Sequence, residues 1–521
     1  MNFYSRIIPL LAIGALMATS CSEDKTDAES PYTPPVEKGV YLAGDFHQHT
    51  TYTDGSWSIA HLMKKNNEYN LDWWANSEHG GASTFDGALS GTDLNGTVTW
   101  ASKTPCPSVG TDNGGNMWRW QTIKDFSFGE LLKARALYPT KTIIQGMEWN
   151  VPGHEHASTA IIGNQFTSKP EANAVAEFEY KFDNSDKDTE GGKAQGWTKS
   201  TKTGHEKTLE AIAWMQANYP KCSWVIPAHP ERKGLYTVAD FRDMNNAGPD
   251  VCFGFESMPG HQKSPERGEY KASSKTYGTC TYGGCGYMSA KMGGLWDALL
   301  SEGRHFWLFA NSDFHDVTND FYPGEYQKTF INVTPPTSAQ AIADGLRSGN
   351  SFVVTGSLID KLNFFAGNAT MGETFSVTGS TVTIYIKFHD AGSKKVNHID
   401  LIAGKVSGLI NPTSADYKID QVSTTKVVAR FDATGGVSDS KGLVSTKWKD
   451  LGNGFKEVIY TVKEVSGSMY FRLRGTNLGL GVANETDADG NPLADSLQEP
   501  NNAEKALADL WFYTNPIFIK K

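Results

Sequence analysis

Between residues 39 and 355, short apolar runs suited to strands alternate with helix-period patterns, and from about 356 onward the helical period disappears. No other feature limits the fold of this chain so strongly. The runs include Thr142 to Met147, Ser223 to Ala228, Val251 to Phe255 and Phe306 to Ala310. Between them, Ile59, Leu62 and Met63 fall on one helical face, Leu209, Ile212, Ala213 and Met215 on another, and Leu295, Ala298 and Leu299 on a third. Alternating strand and helix implies a parallel sheet, here expected to close into a barrel. Residues 339–349 read as a last helix with Gly349 as its stop. Beyond them, Val382 to Phe388 and Met469 to Arg474 alternate with period two between Gly, Asn and Ser turns, which predicts an all-β sandwich over 356–521. The expectation is therefore an α/β, TIM-like barrel over 39–355 followed by a C-terminal β-sandwich. Segments 82–126, 164–206 and 257–292 carry few periodic signals and read as long insertions, of the kind that is functional or disordered.

The 521 residues suffice for two domains with full cores. A net charge of −10 argues against nucleic-acid partners, which need a basic surface. Residues 1–21 read as a signal peptide, with Arg6 before an apolar run from Ile7 to Met17 and small residues leading to Cys21. That ending resembles a lipoprotein box, although Ala18 stands where Leu is usual, and Ser22-Glu23-Asp24-Lys25 resembles the export tag of Bacteroidetes surface lipoproteins. The resemblance implies lipid anchoring to the outer membrane through Cys21, on the periplasmic or cell-surface side. Plain secretion with Cys21 removed is the alternative. Polar, Pro-containing residues 22–38 read as a linker. Beyond Cys21, five cysteines remain, an odd number that cannot all pair; Cys280 and Cys285 flank a Gly-rich loop and are candidates for a small disulfide.

The chemistry-bearing residues stand at the ends of the strand-like runs. His47 and His49 are two apart, so on a strand both imidazoles face one way, and Asp54 follows in a Gly-containing turn. Further along come His79 after Trp73 to Glu78, Glu148 after Ile143 to Met147, and then His154 and His156. His229 follows Val225 to Ala228, and Asp313 and His315 follow Phe309 to Ser312. In a β/α barrel the strand C-termini converge on one face, so ligands this far apart in sequence can meet. Imidazole and carboxylate together suit zinc, manganese or iron.

As a set, these elements resemble the PHP (polymerase and histidinol phosphatase) superfamily of metal-dependent hydrolases: His47-x-His49 with Asp54, His79 after an acidic residue, Glu148 followed by a His, His229-Pro230, and Asp313-x-His315. Gly146-Met147-Glu148-Trp149 with His156 resembles the carbaryl-hydrolase-like branch. The resemblance covers about residues 39–370. It implies a distorted β/α barrel and a site for two or three divalent ions (Zn, Mn or Fe) held by His47, His49, Asp54, His79, Glu148, His156, His229, Asp313 and His315. His154 and His156 compete for one position, and His156 is preferred because it stands closer to the following strand, as in the family. Glu78 replaces the family's usual Asp and is read as orienting an imidazole.

His47, His229 and Asp313 are accordingly the candidate catalytic residues, with Arg232 placed to clamp a phosphate or carboxylate; a solvated loop is the alternative for Arg232. The leading expectation is phosphoester hydrolysis by a metal-bridging hydroxide, acting on a small-molecule or glycan-linked ester. Alternatives are carbamate, amide or carboxyl-ester hydrolysis at the same site, and a non-catalytic surface glycan-binding lipoprotein with a structural metal. His61 is expected at the surface or in a cap; His205, His261 and His305 could line the cleft, with a structural role preferred for each; and Arg267 is a weaker anion-binding candidate.

Overall fold

The computed structural model describes residues 32–87, 98–163, 170–270, 277–499 and 502–521. The expected signal peptide, Cys21 and linker residues 22–31 lie outside the described residues. Val36–Lys521 forms one compact unit. Among the described residues, no helix is long and apolar enough to cross a membrane.

The first half is built on β1 (Val40–Asp45), β2 (Trp73–Asn76), β3 (Thr142–Asn150), β4 (His156–Ile161) and β5 (Ser223–Pro227), which lie side by side in that order. Alternation along these strands sends neighbouring residues to different cores. Trp73 and Ile144 join one buried cluster, and Trp74 and Ile143 the other. Strands β1, β2 and β3 are parallel, as the intervening helix pattern predicts. Strand β4, however, is antiparallel to both β3 and β5. The reason is chain length. Only Val151 to Glu155 connect β3 to β4, too few for the crossover that a parallel pair requires.

Strands β6 (Gly254–Met258) and β7 (Trp307–Ala310) form a separate parallel pair. Strands β8 (Gln327–Val333) and β9 (Ser351–Thr355) continue the main sheet on the other side of β1, both antiparallel. The barrel expected from sequence is therefore not closed by ladders among the described residues. A single bridge, Ala228 to Glu256, spans the gap after β5. On the β7 side the Ala310 amide donates to the Thr329 side chain instead of a backbone carbonyl (2.9 Å).

The main sheet then runs on into the C-terminal region. β9 pairs with Trp511–Thr514, which pairs with Met469–Thr476, and this strand lies against His398–Lys405. A second, five-stranded sheet is centred on Ile359–Ala366, Val382–Asp390 and Phe455–Val462. Residues of both sheets share one buried cluster: Leu362, Phe364, Ile384 and Ile386 from one, Ile399, Leu401, Phe431 and Leu473 from the other. The region is not purely β, since Glu504–Ala508 forms a short helix.

Local signals fix the helices that matter for the site. Ser58 caps α1 (Ile59–Glu68) by accepting from the His61 amide. Of the two places expected for His61, surface and cap, its amide takes the cap, and its ring is buried, stacked on Trp57 and bonded to the Tyr322 hydroxyl at 3.2 Å. After α2 (Gly204–Asn218), Thr237 and Asp240 form a capping box at the start of α3 (Val238–Ala247). The helix Ala339–Ser348 ends at Gly349, whose φ of 73° needs no side chain in the way, so the stop read from sequence is the stop observed.

Candidate metal centre

The ends of β1 and β7 are stitched together, and this brings His-x-His and Asp-x-His into register. Asp45 accepts from the His47 amide (3.1 Å) and from the Ser312 amide (2.7 Å). Asn311 accepts from the Phe46 amide at 2.8 Å. The Asp313 amide then donates to the His47 carbonyl, and the His49 amide to the Phe314 carbonyl, both at 2.8 Å. Burial raises the Asp45 carboxyl to about 7, against the pull of its backbone donors.

Glu148, at the end of β3, is the hub. Its Oε1 lies 3.2 Å from His47 Nε2, 2.9 Å from His156 Nδ1 and 3.1 Å from His229 Nε2. Its Oε2 lies 3.2 Å from His49 Nε2 and 2.8 Å from His79 Nδ1. Asp313 Oδ1 is 3.1 Å from His47 Nε2 and 3.4 Å from His49 Nε2. At the rim, Asp54 reaches His79 Nε2 (3.3 Å) and His315 Nε2 (3.4 Å). All nine ligand candidates read from the sequence are thus drawn together. His154 is not among them; it faces His205 instead.

The fit to metal ions rests on unsatisfied atoms. His47 Nε2, His49 Nε2, His79 Nδ1, His156 Nδ1, Glu148 Oε2 and Asp313 Oδ1 are buried and make no hydrogen bond among the described residues. Buried polar atoms of this kind normally find partners, so six in one place need an explanation. Donors at about 2.1 Å from an ion stand about 3.0–3.4 Å from one another in octahedral or tetrahedral geometry, the spacing found here. The donors fall into overlapping groups: His47, His49, Glu148 and Asp313; His49, Asp54, His79 and His315; His79, Glu148 and His156; and Glu155, His156 and His229.

Burial lowers His47, His79 and His315, but the neighbouring carboxylates outweigh it and raise all three above the usual imidazole value. Burial pushes Glu148 and Asp313 up, but the surrounding imidazoles outweigh it and hold both carboxyls well below their ordinary range. Burial, reinforced by Arg232, drives His229 well below the usual imidazole value, which leaves it neutral with a lone pair to give.

Some contributors were not legible in advance. Glu256, in the middle of β6, takes His47 Nδ1 at 3.0 Å and so turns Nε2 toward the cluster. Its signal was available, since it ends the apolar run Val251 to Phe255 much as Glu148 ends its own. His261 comes from the third insertion. Its Nε2 lies 3.0 Å from Asp313 Oδ2 and its Nδ1 2.5 Å from Asp320 Oδ1. Burial lowers it, yet Asp320 and Asp313 together raise it to about 10. Nothing in its sequence surroundings marks it out.

Glu78 departs from expectation. It orients no imidazole directly. It accepts from the Thr50 amide (3.2 Å) and the Thr53 hydroxyl (2.6 Å), and thereby fixes the turn that carries His49 and Asp54. Arg267 is buried and donates to both Asp509 oxygens (2.7 and 2.9 Å), tying the third insertion to the C-terminal region. His305 packs on Trp307 and Phe518. All five cysteines beyond Cys21 are free thiols, so Cys280 and Cys285 form no disulfide here.

The cluster floors a cleft of about 340 Å³. Of the three residues Glu231, Arg232 and Lys233, only Arg232 lines it. Glu231 bonds inward to Ser257 and Tyr270, and Lys233 pairs with Glu155. Arg232 Nη2 donates to Asp313 Oδ2 at 2.8 Å, while its buried Nε has no partner among the described residues. Four non-glycine residues with left-handed backbone line the same cleft: His229 (φ 31°), His261 (54°), Glu269 (56°) and Asp313 (47°). Such conformations cost about 1–3 kcal/mol each and collect where function demands them.

No protein-family model matches the chain, and no curated protein matches it. Among solved structures it is similar to a two-domain protein from Bacteroides vulgatus ATCC 8482, described as containing a predicted PHP-like metal-dependent phosphoesterase. The identity is 13%, over 85% of this chain and 92% of that one, with a TM-score of 0.33. At that score the likeness bears on neither fold nor function.

Proposed function

We propose that this protein is a metal-dependent hydrolase of the PHP type that cleaves phosphate esters. The observation that carries the reading is the convergence of six buried imidazole and carboxylate atoms that make no hydrogen bond among the described residues and stand at ligand spacing from one another. Two or three divalent ions, of zinc, manganese or iron, would be held by His47, His49, Asp54, His79, Glu148, His156, His229, Asp313 and His315. Such ions supply Lewis acidity, which acidifies water and polarises the scissile oxygen.

The chain's own groups supply position. Glu256 and Asp45 hold the His47 end of the site rigid. The carbonyl of Asp313 accepts from His315 Nδ1 at 2.8 Å and so turns Nε2 toward Asp54 at the rim of the cluster. Arg232 favours a phosphate over a neutral ester. Its unpartnered Nε and its Nη2 form a fork beside the donor cluster, and a guanidinium fork matches two oxygens of one phosphate. Anchoring through Cys21 would set this activity at a membrane surface, on soluble or glycan-linked esters.

The test is a substrate panel of phosphomonoesters, phosphodiesters, carboxyl esters and carbamates, run on wild type and Arg232→Lys. The reading expects turnover of a phosphate ester, competitive inhibition by inorganic phosphate, and a KM raised at least tenfold in the variant with metal content unchanged. Turnover confined to carboxyl esters or carbamates, indifferent to phosphate and to Arg232, would replace the phosphoesterase reading. Binding of glycans without turnover of any ester would replace the enzyme.

A further inference from the structure

A second set of ligand donors lies outside the cleft, where three segments meet. His154 sits in the loop between β3 and β4, His205 in the first turn of α2, and Asp240 in the first turn of α3. Gly153 makes the meeting possible. Its φ is 84°, and a Cβ there would stand 3.0 Å from the His205 backbone nitrogen, so the loop rests directly on the start of α2.

Each donor is already oriented. His154 Nδ1–H donates to the Leu235 carbonyl at 2.9 Å, because a carbonyl can only accept, and this leaves Nε2 as the ring's acceptor atom. The ring is stacked on Tyr236, with centroids 4.8 Å apart and planes 7° from parallel. That Nε2 faces His205 Nδ1 at 2.8 Å. On its other side, His205 Nε2 lies 3.4 Å from Asp243 Oδ2, and the Tyr417 hydroxyl fixes that carboxylate at 2.7 Å through Oδ1. Asp240 uses Oδ2 for the capping box, accepting from the Thr237 amide (2.8 Å) and hydroxyl (2.7 Å). Its Oδ1 stays available, 3.8 Å from His205 Nδ1.

We propose that His154 Nε2, His205 Nδ1 and Asp240 Oδ1 form a second, separate site for a zinc-class divalent ion. Two imidazoles and one carboxylate are a donor set of the kind zinc takes, with water completing the tetrahedron. All three residues are partly exposed, so an ion can enter from solvent. The backing partners have the form found behind ligating histidines: a backbone carbonyl behind His154, and a carboxylate behind His205. An ion here would clip the β3–β4 loop to both helices. That loop leads into His156, two residues on, so the outer ion would steady one wall of the cleft without touching substrate.

Zinc stoichiometry of the full chain tests this independently of any activity. Chelator-stripped wild type, His205→Ala and Asp240→Asn are titrated with zinc by calorimetry, each also carrying Glu148→Gln to weaken the cleft. The asparagine keeps a side-chain acceptor for the cap, so it serves even where the alanine variant fails to fold. The proposal expects Glu148→Gln alone to bind one zinc equivalent more than either double variant, or to bind that equivalent at least tenfold more tightly. Equal zinc content and affinity with and without His205 and Asp240 would overturn it. Anomalous zinc density confined to the cleft of a zinc-soaked crystal would overturn it equally.

Discussion

Replacing Glu148 by glutamine removes the charge and one oxygen from the middle of the cluster while keeping shape and volume. The two carboxylate oxygens serve different neighbours. Oε1 faces His47, His156 and His229, whereas Oε2 faces His49 and His79. A glutamine leaves one oxygen and turns an NH2 toward the remaining imidazole lone pairs, so a carboxylate bridge between donor groups is lost. Losing even an outer-shell partner weakens metal binding by about 10–100-fold, or about 1.4–2.8 kcal/mol, and a shared direct ligand should cost at least that. Elemental analysis after dialysis against metal-free buffer should find at least one ion fewer per chain than in wild type. Ester hydrolysis should fall at least 100-fold. Circular dichroism melting of the metal-loaded proteins separates this loss from unfolding. A folded Glu148→Gln protein with full ion content and undiminished turnover would refute the reasoning.

Other perturbations probe other links. A Cβ on Gly260 would stand 2.0 Å from the Ser312 carbonyl oxygen and 2.5 Å from Asp313 Cβ, so Gly260→Ala should displace Asp313 and lower metal content in a protein that still folds; unchanged metal affinity would contradict the packing. Burial pushes the Asp400 carboxyl up, but Arg474, His398 and Arg430 outweigh it and lower it from 3.8 to about 2. Its contribution, roughly 2 kcal/mol, is therefore present above pH 4 and lost as pH falls toward 2, so Asp400→Asn should be less stable at pH 7 and lose less between pH 4 and pH 2 in acid-denaturation curves. If Cys21 carries a lipid, Cys21→Ser should move the protein from the membrane to the soluble fraction, and an unchanged membrane fraction would exclude that anchor.

The ligand set was legible because most of its members lie at or just beyond the ends of apolar runs, and strand ends are where a sheet presents chemistry; Asp54 follows in a turn and His156 opens β4. The two runs that carry His47 and Asp313 come together through Asp45 and Asn311, residues whose roles no spacing reveals. The reversal of β4 was readable in principle from the five residues between β3 and β4, but helix-strand alternation elsewhere masked it. His261 was hidden for another reason. It lies in an aperiodic insertion, at a backbone φ of 54°, held by Asp320, and the insertion is tied to the C-terminal region through Arg267. Long-range packing of that kind leaves no local trace. The C-terminal region, read as an accessory, thus braces the insertion that closes one side of the cleft.

Metal add-back tests the central claim most directly. Wild type is stripped with chelator and dialysed free of it. Phosphate release from a phosphate ester is then followed as zinc, manganese or iron(II) is titrated in. The account predicts no turnover in the stripped protein and activity that rises with ion content to a plateau at two or three ions per chain in the cleft. Full turnover by the metal-free protein would contradict it.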